Sequence, residues 1–377
     1  MTSYSFDHVT VDISTPTVIG QRTGHLWFTT LHPFNHRDIL CIGNIAADEA
    51  QGDWAGALYL SRDGGASWQP AGDLKTCGPA SYGLAANTRL IMPYELWPLK
   101  RRNRRNLVAD GTIVRLDAAG RVSTQPVPVQ FLDFPVDFAD YHTDELALLT
   151  NGNILPLRDG RLMTTLYGTL LGEQKYRLYA ITSGDGGFTW RYHAQVASWE
   201  DIPDGPEGPD ESHTTRLADG RLLCVYRVGS RREYPLHKSY SADDGLSWSK
   251  PEKMEGVWSV EPQIARLDNG LMVLSSGRPG LFLWVCTDEV GNQWERINLA
   301  EHHNAHLADS SLHYNDAFCA GEEVFRPYQS TSYTGMIRSG ADQVLISYER
   351  TANGWDGAPG PYGDTDAAFC IRVRARR

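Results

Sequence analysis

Two glutamates, Glu211 and Glu261, lie 50 residues apart, each just before one of two copies of a repeated sequence segment. Equivalent positions of neighbouring repeats face the same way, so we expect both carboxylates at one end of the fold. There they could act as general acid or base on a bound substrate. His213 follows Glu211 by two residues, and side chains two apart on a strand share a face. The sequence alone therefore leaves open whether Glu211 or His213 faces this end.

A metal or cofactor site is not indicated by the sequence. The histidine-rich stretch EHHNAH at 301–306 lacks a standard spacing of metal ligands and is interpreted as a polar loop. No glycine-rich phosphate-binding motif follows a strand and begins a helix. We therefore expect no cofactor.

The repeated segment that follows each of the two glutamates consists of an apolar strand, a polar Asp-Gly or Asn-Gly turn and a second apolar strand. This pattern is a strong hairpin signal. Clear copies lie at 153–168, 214–227 and 263–278, and looser copies at 24–44, 80–96 and 332–350. The sequence thus predicts six repeated units, and strands are also predicted at both termini.

A second repeated pattern, Ser-x-Asp-x-Gly-x-x-Trp, begins at Ser61, Ser183 and Ser241, and a degenerate copy at 287–294 has Thr287 for Ser and Glu289 for Asp. In such a turn the Asp accepts backbone N–H groups two or three residues on, Gly supplies a positive φ and Trp adds apolar area. A repeat of about 50 to 60 residues matches a four-stranded propeller blade. We therefore expect an all-β, six-bladed β-propeller of four-stranded antiparallel blades, forming one domain over residues 1–377 whose terminal strands share a blade.

The composition excludes some classes of binding partner and favours one cellular compartment. A formal net charge of -11 and a pI of about 5.5 argue against nucleic acid or an anionic membrane as partner. The basic run LKRRNRRN at 99–106 is interpreted as a solvated loop, with a lip that attracts an acidic glycan as the alternative. No apolar run has the length of a membrane span, and the N-terminus lacks the features of a signal peptide. The cysteines form no C-x-x-C pair, and four in apolar runs, Cys41, Cys224, Cys286 and Cys370, are expected to be reduced core residues, which favours the cytoplasm unless a signal peptide has been removed.

These turns and hairpins resemble those of the sialidase (neuraminidase) superfamily, and the resemblance covers most of the chain as a repeat pattern. It implies a Tyr nucleophile with a Glu partner, an Asp acid/base and three arginines that bind a sugar carboxylate. In STSYTGMIRSGADQVLISYE it implies that Tyr333 is the nucleophile, which needs a nearby base at neutral pH. In DESHTTRLADGRLLCVYR it implies that Glu211, or His213, faces the substrate and that Arg227 is the second arginine.

The same resemblance assigns Arg278 in SSGRPG as the third arginine, and Asp53, with Asp48 as the alternative, as the acid/base. The first repeat departs from the family pattern. It has His25 near the expected arginine, with Arg22 three residues earlier. Without Arg22 the carboxylate clamp is incomplete, and His25 then suggests a neutral sugar or a uronic acid.

The resemblance therefore implies a sialidase-like exo-glycoside hydrolase that releases a terminal, acidic sugar from a glycan. Two alternatives remain open. One is a polysaccharide lyase, or another exo-glycosidase for uronic acid, rhamnose or arabinose, on the same propeller. The other is a non-catalytic glycan-binding propeller.

Overall fold

The computed structural model describes residues 1–6, 8–48, 55–75, 78–100, 103–139, 148–322 and 328–377. The chain divides into two compact units. The first unit consists of Met1–Lys75, Ser230–Glu233 and Val257–Arg377, and the second of Thr76–Gly229 and Tyr234–Gly256. No helix among the described residues is long and apolar enough to cross a membrane.

The strands of the amino-terminal part of the first unit are β1 Thr2–Phe6, β2 Val9–Ile13, β3 Thr17–Thr23, β4 Trp27–Pro33, β5 Ile39–Asn44, β6 Gly56–Ser61 and β7 Gln69–Leu74. Those of the second unit are β8 Ser81–Ala85, β9 Thr88–Ile91, β10 Glu95–Lys100, β11 Asn103–Leu116, β12 Val122–Leu132, β13 Leu148–Thr150, β14 Leu155–Pro156, β15 Leu162–Gly168, β16 Arg177–Ser183, β17 Thr189–Ser198, β18 Ser212–Arg216, β19 Leu222–Tyr226, β20 His237–Ser241 and β21 Glu252–Lys253. The rest of the first unit contains β22 Gln263–Arg266, β23 Met272–Ser276, β24 Phe282–Cys286, β25 Trp294–Asn298, helix α1 Leu299–His306, helix α2 Asp316–Cys319, β26 Thr334–Gly340, β27 Gln343–Arg350 and β28 Thr365–Arg376.

The described strands of the first unit form three sheets. Two are four-stranded antiparallel sheets, β4-β5-β6-β7 and β22-β23-β24-β25. The third runs β1-β2-β28-β27-β26, with β3 also paired to β28. Val11 of β2 lies opposite Ala375 of β28, so the terminal strands share a sheet, as the sequence predicts.

The second unit has a four-stranded antiparallel sheet, β18-β19-β20-β21, and a ten-stranded sheet. The larger sheet contains two antiparallel series, β8-β9-β11-β12 and β13-β15-β16-β17, which the parallel pair β12 and β17 joins. Strand β10 pairs with both β11 and β13, and β14 pairs with β15. The basic run predicted to be a loop therefore lies in part on paired strands, since Lys100 of β10 is opposite Asn103 of β11.

All six predicted hairpins are confirmed as antiparallel strand pairs: β4/β5, β8/β9, β14/β15, β18/β19, β22/β23 and β26/β27. Every residue of the second strands β19 and β23 is buried. The first unit packs Val273, Val285 and Ile346 into one core, and the second packs Ile181 and Trp190 into another. Burial of these apolar side chains is the dominant stabilising contribution in each unit.

The Ser-Asp-Gly-Trp turn follows the physical logic expected of it. Ser61 Oγ accepts the Gly65 N–H at 2.8 Å, and Asp63 Oδ1 accepts the Ser67 N–H at 2.9 Å. The same bonds recur in the turns that begin at Ser183 and Ser241. The amides bound by Asp lie three or four residues on, rather than two or three. The glycine at the fifth place has a positive φ, 90° at Gly65, as the turn requires.

Two local predictions are wrong. In the degenerate copy the turn acceptor is Asp288, not Glu289, because Asp288 Oδ1 accepts the N–H groups of Val290 and Gly291 at 2.8 and 2.6 Å. The EHHNAH stretch forms most of α1 rather than a loop. The Asn298 side chain caps this helix by accepting hydrogen bonds from the N–H groups of its first turn. Asn is a favoured N-cap residue, so Asn298 is the sequence signal for the start of the helix.

The cysteine prediction is confirmed. Cys41, Cys224, Cys286 and Cys370 are free and buried, and Cys319 is free and partly buried. Burial raises the pKa of Cys370 to about 12, so this thiol is inert.

Candidate active site

Glu349 lies at the carboxyl end of β27 in the first unit and is completely buried. Its Oε1 accepts the backbone N–H groups of Ser332 at 2.8 Å and Tyr333 at 3.2 Å. The backbone N–H groups of Phe28 and Thr29 also donate to this carboxylate. One buried acid thus fastens two separate backbone segments, and both segments carry aromatic rings.

Burial raises the pKa of Glu349 to about 7, although the four backbone N–H groups act in the opposite direction. Removing a carboxylate from water is unfavourable, and hydrogen bonds to the charged form offset only part of that penalty. Glu349 therefore changes its charge near neutral pH.

Four rings form a continuous row beside this carboxylate. The Tyr333 and Phe28 ring centroids are 4.6 Å apart, those of Phe28 and Trp27 4.4 Å, and those of Trp27 and His25 4.7 Å. Phe28 has a φ of 50°, which is uncommon for a bulky residue. The hydrogen bond from its N–H to Glu349 helps to hold this conformation.

Arg278 reaches the same row of rings. The centre of its guanidinium lies 5.5 Å from the Tyr333 ring centroid and 5.1 Å from that of Trp355, a cation–π arrangement with both. Its backbone N–H donates to the Ser332 carbonyl at 3.3 Å. A Cβ on the preceding Gly277 would overlap that carbonyl, so the approach of the two segments requires glycine here. The structure therefore brings Arg278 and Tyr333 together, two of the residues that the sequence singled out.

Glu261 is also buried, 4% exposed, and has a φ of 44°. Gln263 Nε2 donates to Glu261 Oε1 at 2.9 Å. The preceding residue, Val260, donates its N–H to the Arg278 carbonyl at 3.1 Å. Glu261 thus directly follows the residue that is hydrogen-bonded to the Arg278 backbone. Its positive φ is unfavourable for a glutamate and is maintained by the surrounding structure.

His25 is partly buried, and burial lowers its pKa, so the imidazole is neutral at pH 7. Its Nδ1 is buried and makes no hydrogen bond within the described part of the chain. The backbone of Gly357 lies against the ring, because a Cβ on Gly357 would be 2.8 Å from His25 Nε2. On the next residue, the Leu26 N–H donates to Asp366 Oδ2 at 3.1 Å, and burial raises the pKa of Asp366 to about 6.

Arg22 does not join this group. It lies on β3, is exposed, and its positive charge acts on the Tyr59 phenol. Among the described residues no hydrogen bond or ion pair connects Arg22 with Arg278 or Tyr333. The side chain near the expected first arginine is therefore that of His25.

In the second unit, Arg227 is surrounded by acidic groups. Its Nε lies 3.0 Å from Asp210 Oδ1 and 2.9 Å from Glu211 Oε2, and its Nη2 lies 3.1 Å from Glu207 Oε2. Burial raises the pKa of Asp210, Arg227 opposes this rise, and Glu207 and Glu211 add to it. The guanidinium charge is thus already balanced by carboxylates of the protein, an arrangement that suits positioning of Glu211.

The remaining predicted residues have the following places. Glu211 is 1% exposed and directly precedes β18, and His213 lies on β18 and is 8% exposed. Asp53 lies outside the described residues, and Asp48 is exposed. Sequence reasoning missed Glu349, Asp366, Phe28 and Trp355. An acid at the end of the apolar strand QVLISYER was the available signal for Glu349.

Comparison with known proteins gives a family and a fold. A model of the BNR repeat-like domain matches residues 142–346. No curated protein matches the sequence. Among solved structures, a protein of unknown function from Dyadobacter fermentans is similar with a TM-score of 0.65 and 17% identity, over 97% of this chain and 99% of that one.

Two enzymes also share the fold. The α-L-arabinanase of Penicillium chrysogenum, solved with arabinobiose, has a TM-score of 0.56 and 13% identity, over 95% of this chain and 98% of that one. The NanB sialidase of Streptococcus pneumoniae has a TM-score of 0.52 and 12% identity, over 96% of this chain and 70% of that one. At these identities the likeness shows the fold alone.

Proposed function

Because the chain belongs to the BNR repeat-like domain family, we propose that it is a glycoside hydrolase that removes a terminal sugar from a glycan. We further propose that it folds as one six-bladed propeller. Three observations support six blades: the six hairpins, the two antiparallel series within the ten-stranded sheet, and the shared sheet of the terminal strands.

The observation that carries the proposed activity is the immobilisation of Tyr333. Its backbone N–H is bound by the buried Glu349, its ring packs on Phe28, and Arg278 lies over the same ring. In the proposed reaction the phenol oxygen loses its proton and bonds to the anomeric carbon as the bond to the leaving oxygen breaks and that oxygen takes up a proton. Water then displaces the phenol oxygen from the anomeric carbon, which releases the sugar and returns the proton to Tyr333. A nearby guanidinium favours the negative charge that the phenol oxygen develops on losing its proton. The roles of Glu211 as proton acceptor and Asp53 as acid/base remain predictions from the resemblance.

We favour a neutral terminal sugar over a sialic acid. A three-arginine clamp requires guanidinium groups whose charge is available to a substrate carboxylate. Arg227 is already bound by three carboxylates, and Arg22 lies beside Tyr59 instead. The neutral imidazole of His25 offers hydrogen bonding without charge, which suits a sugar hydroxyl. Arabinose is the first sugar to test, since the arabinanase from Penicillium chrysogenum shares the fold.

An acidic sugar is the second candidate, favoured by the position of Arg278 beside Tyr333. For a uronate the same arginine would equally serve a lyase, in which Tyr333 or His25 moves the proton. Elimination gives an unsaturated product that absorbs in the ultraviolet, whereas hydrolysis does not. A glycan-binding protein without activity would bind and release the sugar unchanged.

The test is incubation with aryl glycosides of arabinofuranose, rhamnose, glucuronic acid and sialic acid, followed by the mass of the product. We expect release of arabinose, and loss of at least about a thousandfold in kcat when Tyr333→Phe removes the nucleophile. Tyr240→Phe, a phenol that lies near Arg221 in the second unit, is the matched control and should retain activity. Normal turnover by Tyr333→Phe would overturn the mechanism, and no product from any glycoside would overturn the enzyme assignment.

A further inference from the structure

Tyr362 is an unusual aromatic residue in this protein because it is exposed. Its relative exposure is 46%, and it is the one aromatic residue among the exposed large apolar side chains of the described ranges. It belongs to the Gly-Pro-rich segment 353–364, which leads into β28. An exposed aromatic ring on a polar surface is typical of a site that binds a ligand through an apolar face of that ligand.

The Tyr362 ring is held in place before any ligand arrives. It stacks on Tyr328 with centroids 4.9 Å apart and an interplanar angle of 27°. Its backbone N–H donates to Asn353 Oδ1 at 3.1 Å, and Asn353 Nδ2 donates to the Gly363 carbonyl. Asn353 is itself buried, 1% exposed. The platform is therefore preorganised, and binding to it requires little ordering of the protein.

This platform is continuous with the candidate active site of the same unit. The Tyr328 hydroxyl donates to Asp356 Oδ2 at 3.1 Å, and Asp356 directly follows Trp355, whose ring lies by Arg278. The same segment touches His25 through Gly357. The exposed ring is thus joined through Tyr328 to Asp356, in the same short segment as Trp355 and Gly357, which contact Arg278 and His25.

We propose that Tyr328 and Tyr362 form a subsite for the second sugar of the substrate, the one that remains on the leaving group. The C–H face of a neutral sugar ring carries partial positive charge and packs on the negative face of an aromatic ring, while its hydroxyls donate to carboxylates such as Asp356. This inference rests on the proposed function, and it adds that the substrate is at least a disaccharide with a neutral penultimate sugar. A phenol ring, rather than a charge, selects that sugar.

Binding by titration calorimetry tests the subsite without requiring turnover. The Tyr333→Phe protein is titrated with arabinobiose and with methyl arabinofuranoside, and in parallel with sialyllactose and sialic acid. The same ligands are then titrated into proteins that also carry Tyr362→Ala or Tyr362→Phe. Leu246→Ala, which removes an exposed apolar side chain at 61% exposure in the second unit, is the matched control.

We expect Tyr362→Ala to weaken binding of the disaccharide about tenfold and to leave the monosaccharide unchanged, because only the second sugar reaches the platform. Tyr362→Phe keeps the ring and should retain the affinity. Equal effects of Tyr362→Ala and Leu246→Ala on every disaccharide, including the case in which none binds, overturn the subsite. Failure of the proposed function has a different signature, namely full turnover by Tyr333→Phe or binding without any product.

Discussion

The buried carboxylate of Glu349 accepts the backbone N–H of Tyr333 at 3.2 Å, although the two residues are 16 positions apart. It also accepts the N–H of Phe28, whose ring packs against that of Tyr333. The acid therefore acts on Tyr333 through the backbone, which makes Glu349 a positioning residue. A carboxylate suits this place because the groups that bond to it, four backbone N–H groups and the Thr29 hydroxyl, are donors, and an ionised carboxylate is an acceptor only.

Glu349→Gln should lower kcat by about 10-fold to 100-fold while the chain still folds. The amide NH2 cannot accept an N–H, so one of the two backbone segments loses its anchor, and small displacements at a reacting centre have effects of this size. The measurement is kcat on the substrate that the glycoside panel identifies. Glu295→Gln, an exposed acid on β25, is the control and should have no effect.

The pH profile separates positioning from a general structural effect. Since the pKa of Glu349 is raised to about 7, wild-type activity should fall as pH decreases below about 7, when the carboxylate gains a proton and loses acceptor capacity. In Glu349→Gln this acidic limb should disappear or move. An unchanged limb in the variant would assign it to another group and remove Glu349 from the positioning role.

Stability should depend on pH in the opposite direction. The folded pKa of Glu349 lies above the ordinary value of 4.5, so the folded protein binds the proton more tightly than the unfolded chain. The free energy of unfolding should therefore decrease as pH rises from about 4.5 to about 7, by about 3 kcal/mol from this group. Urea unfolding of wild type and Glu349→Gln across this range measures the difference, and a difference that is independent of pH would contradict the assignment.

Gly277→Ala should damage both stability and activity. Its Cβ would overlap the Ser332 carbonyl, so the segment that carries Arg278 and the segment that carries Tyr333 must separate. Overpacking of this kind destabilises by about 1–3 kcal/mol. Gly184→Ala is the matched control, because a Cβ at Gly184 meets no atom within 4 Å and should change stability by less than about 0.5 kcal/mol. Equal unfolding midpoints for the two variants would show that the segments do not pack as described.

The sequence predicted the local elements better than the site. Hairpins and Ser-Asp-Gly-Trp turns depend on residues that are close in the chain, so they can be recognised from the sequence before the fold is known. Glu349 and Tyr333 meet only because β26 and β27 pair, and nothing near Glu349 in the sequence announces four backbone donors. Asp288 shows a smaller failure of the same kind, since an adjacent acid, Glu289, fitted the pattern equally well.

Arg227→Leu should destabilise the protein by about 3–5 kcal/mol at pH 8. The substitution removes the guanidinium that pairs with three acids, Asp210, Glu207 and Glu211, and Asp210 is fully buried. Removing one partner of a buried ion pair leaves an uncompensated charge, which explains this magnitude. Arg231→Leu is the control, because the exposed pair of Arg231 and Glu233, 3.8 Å apart, should contribute less than about 1 kcal/mol.

Lowering the pH should restore part of the stability that Arg227→Leu loses. Without the cation, the pKa of Asp210 rises further in the folded state, since Arg227 is the group that lowers it. The folded variant then takes up protons more readily than the unfolded chain, and its deficit relative to wild type should shrink between pH 8 and pH 5. Urea unfolding at the two pH values measures this change. A deficit that stays constant would mean that Arg227 stabilises the unit by packing its side chain rather than by neutralising these three acids, and the argument for its positioning of Glu211 would fail with it.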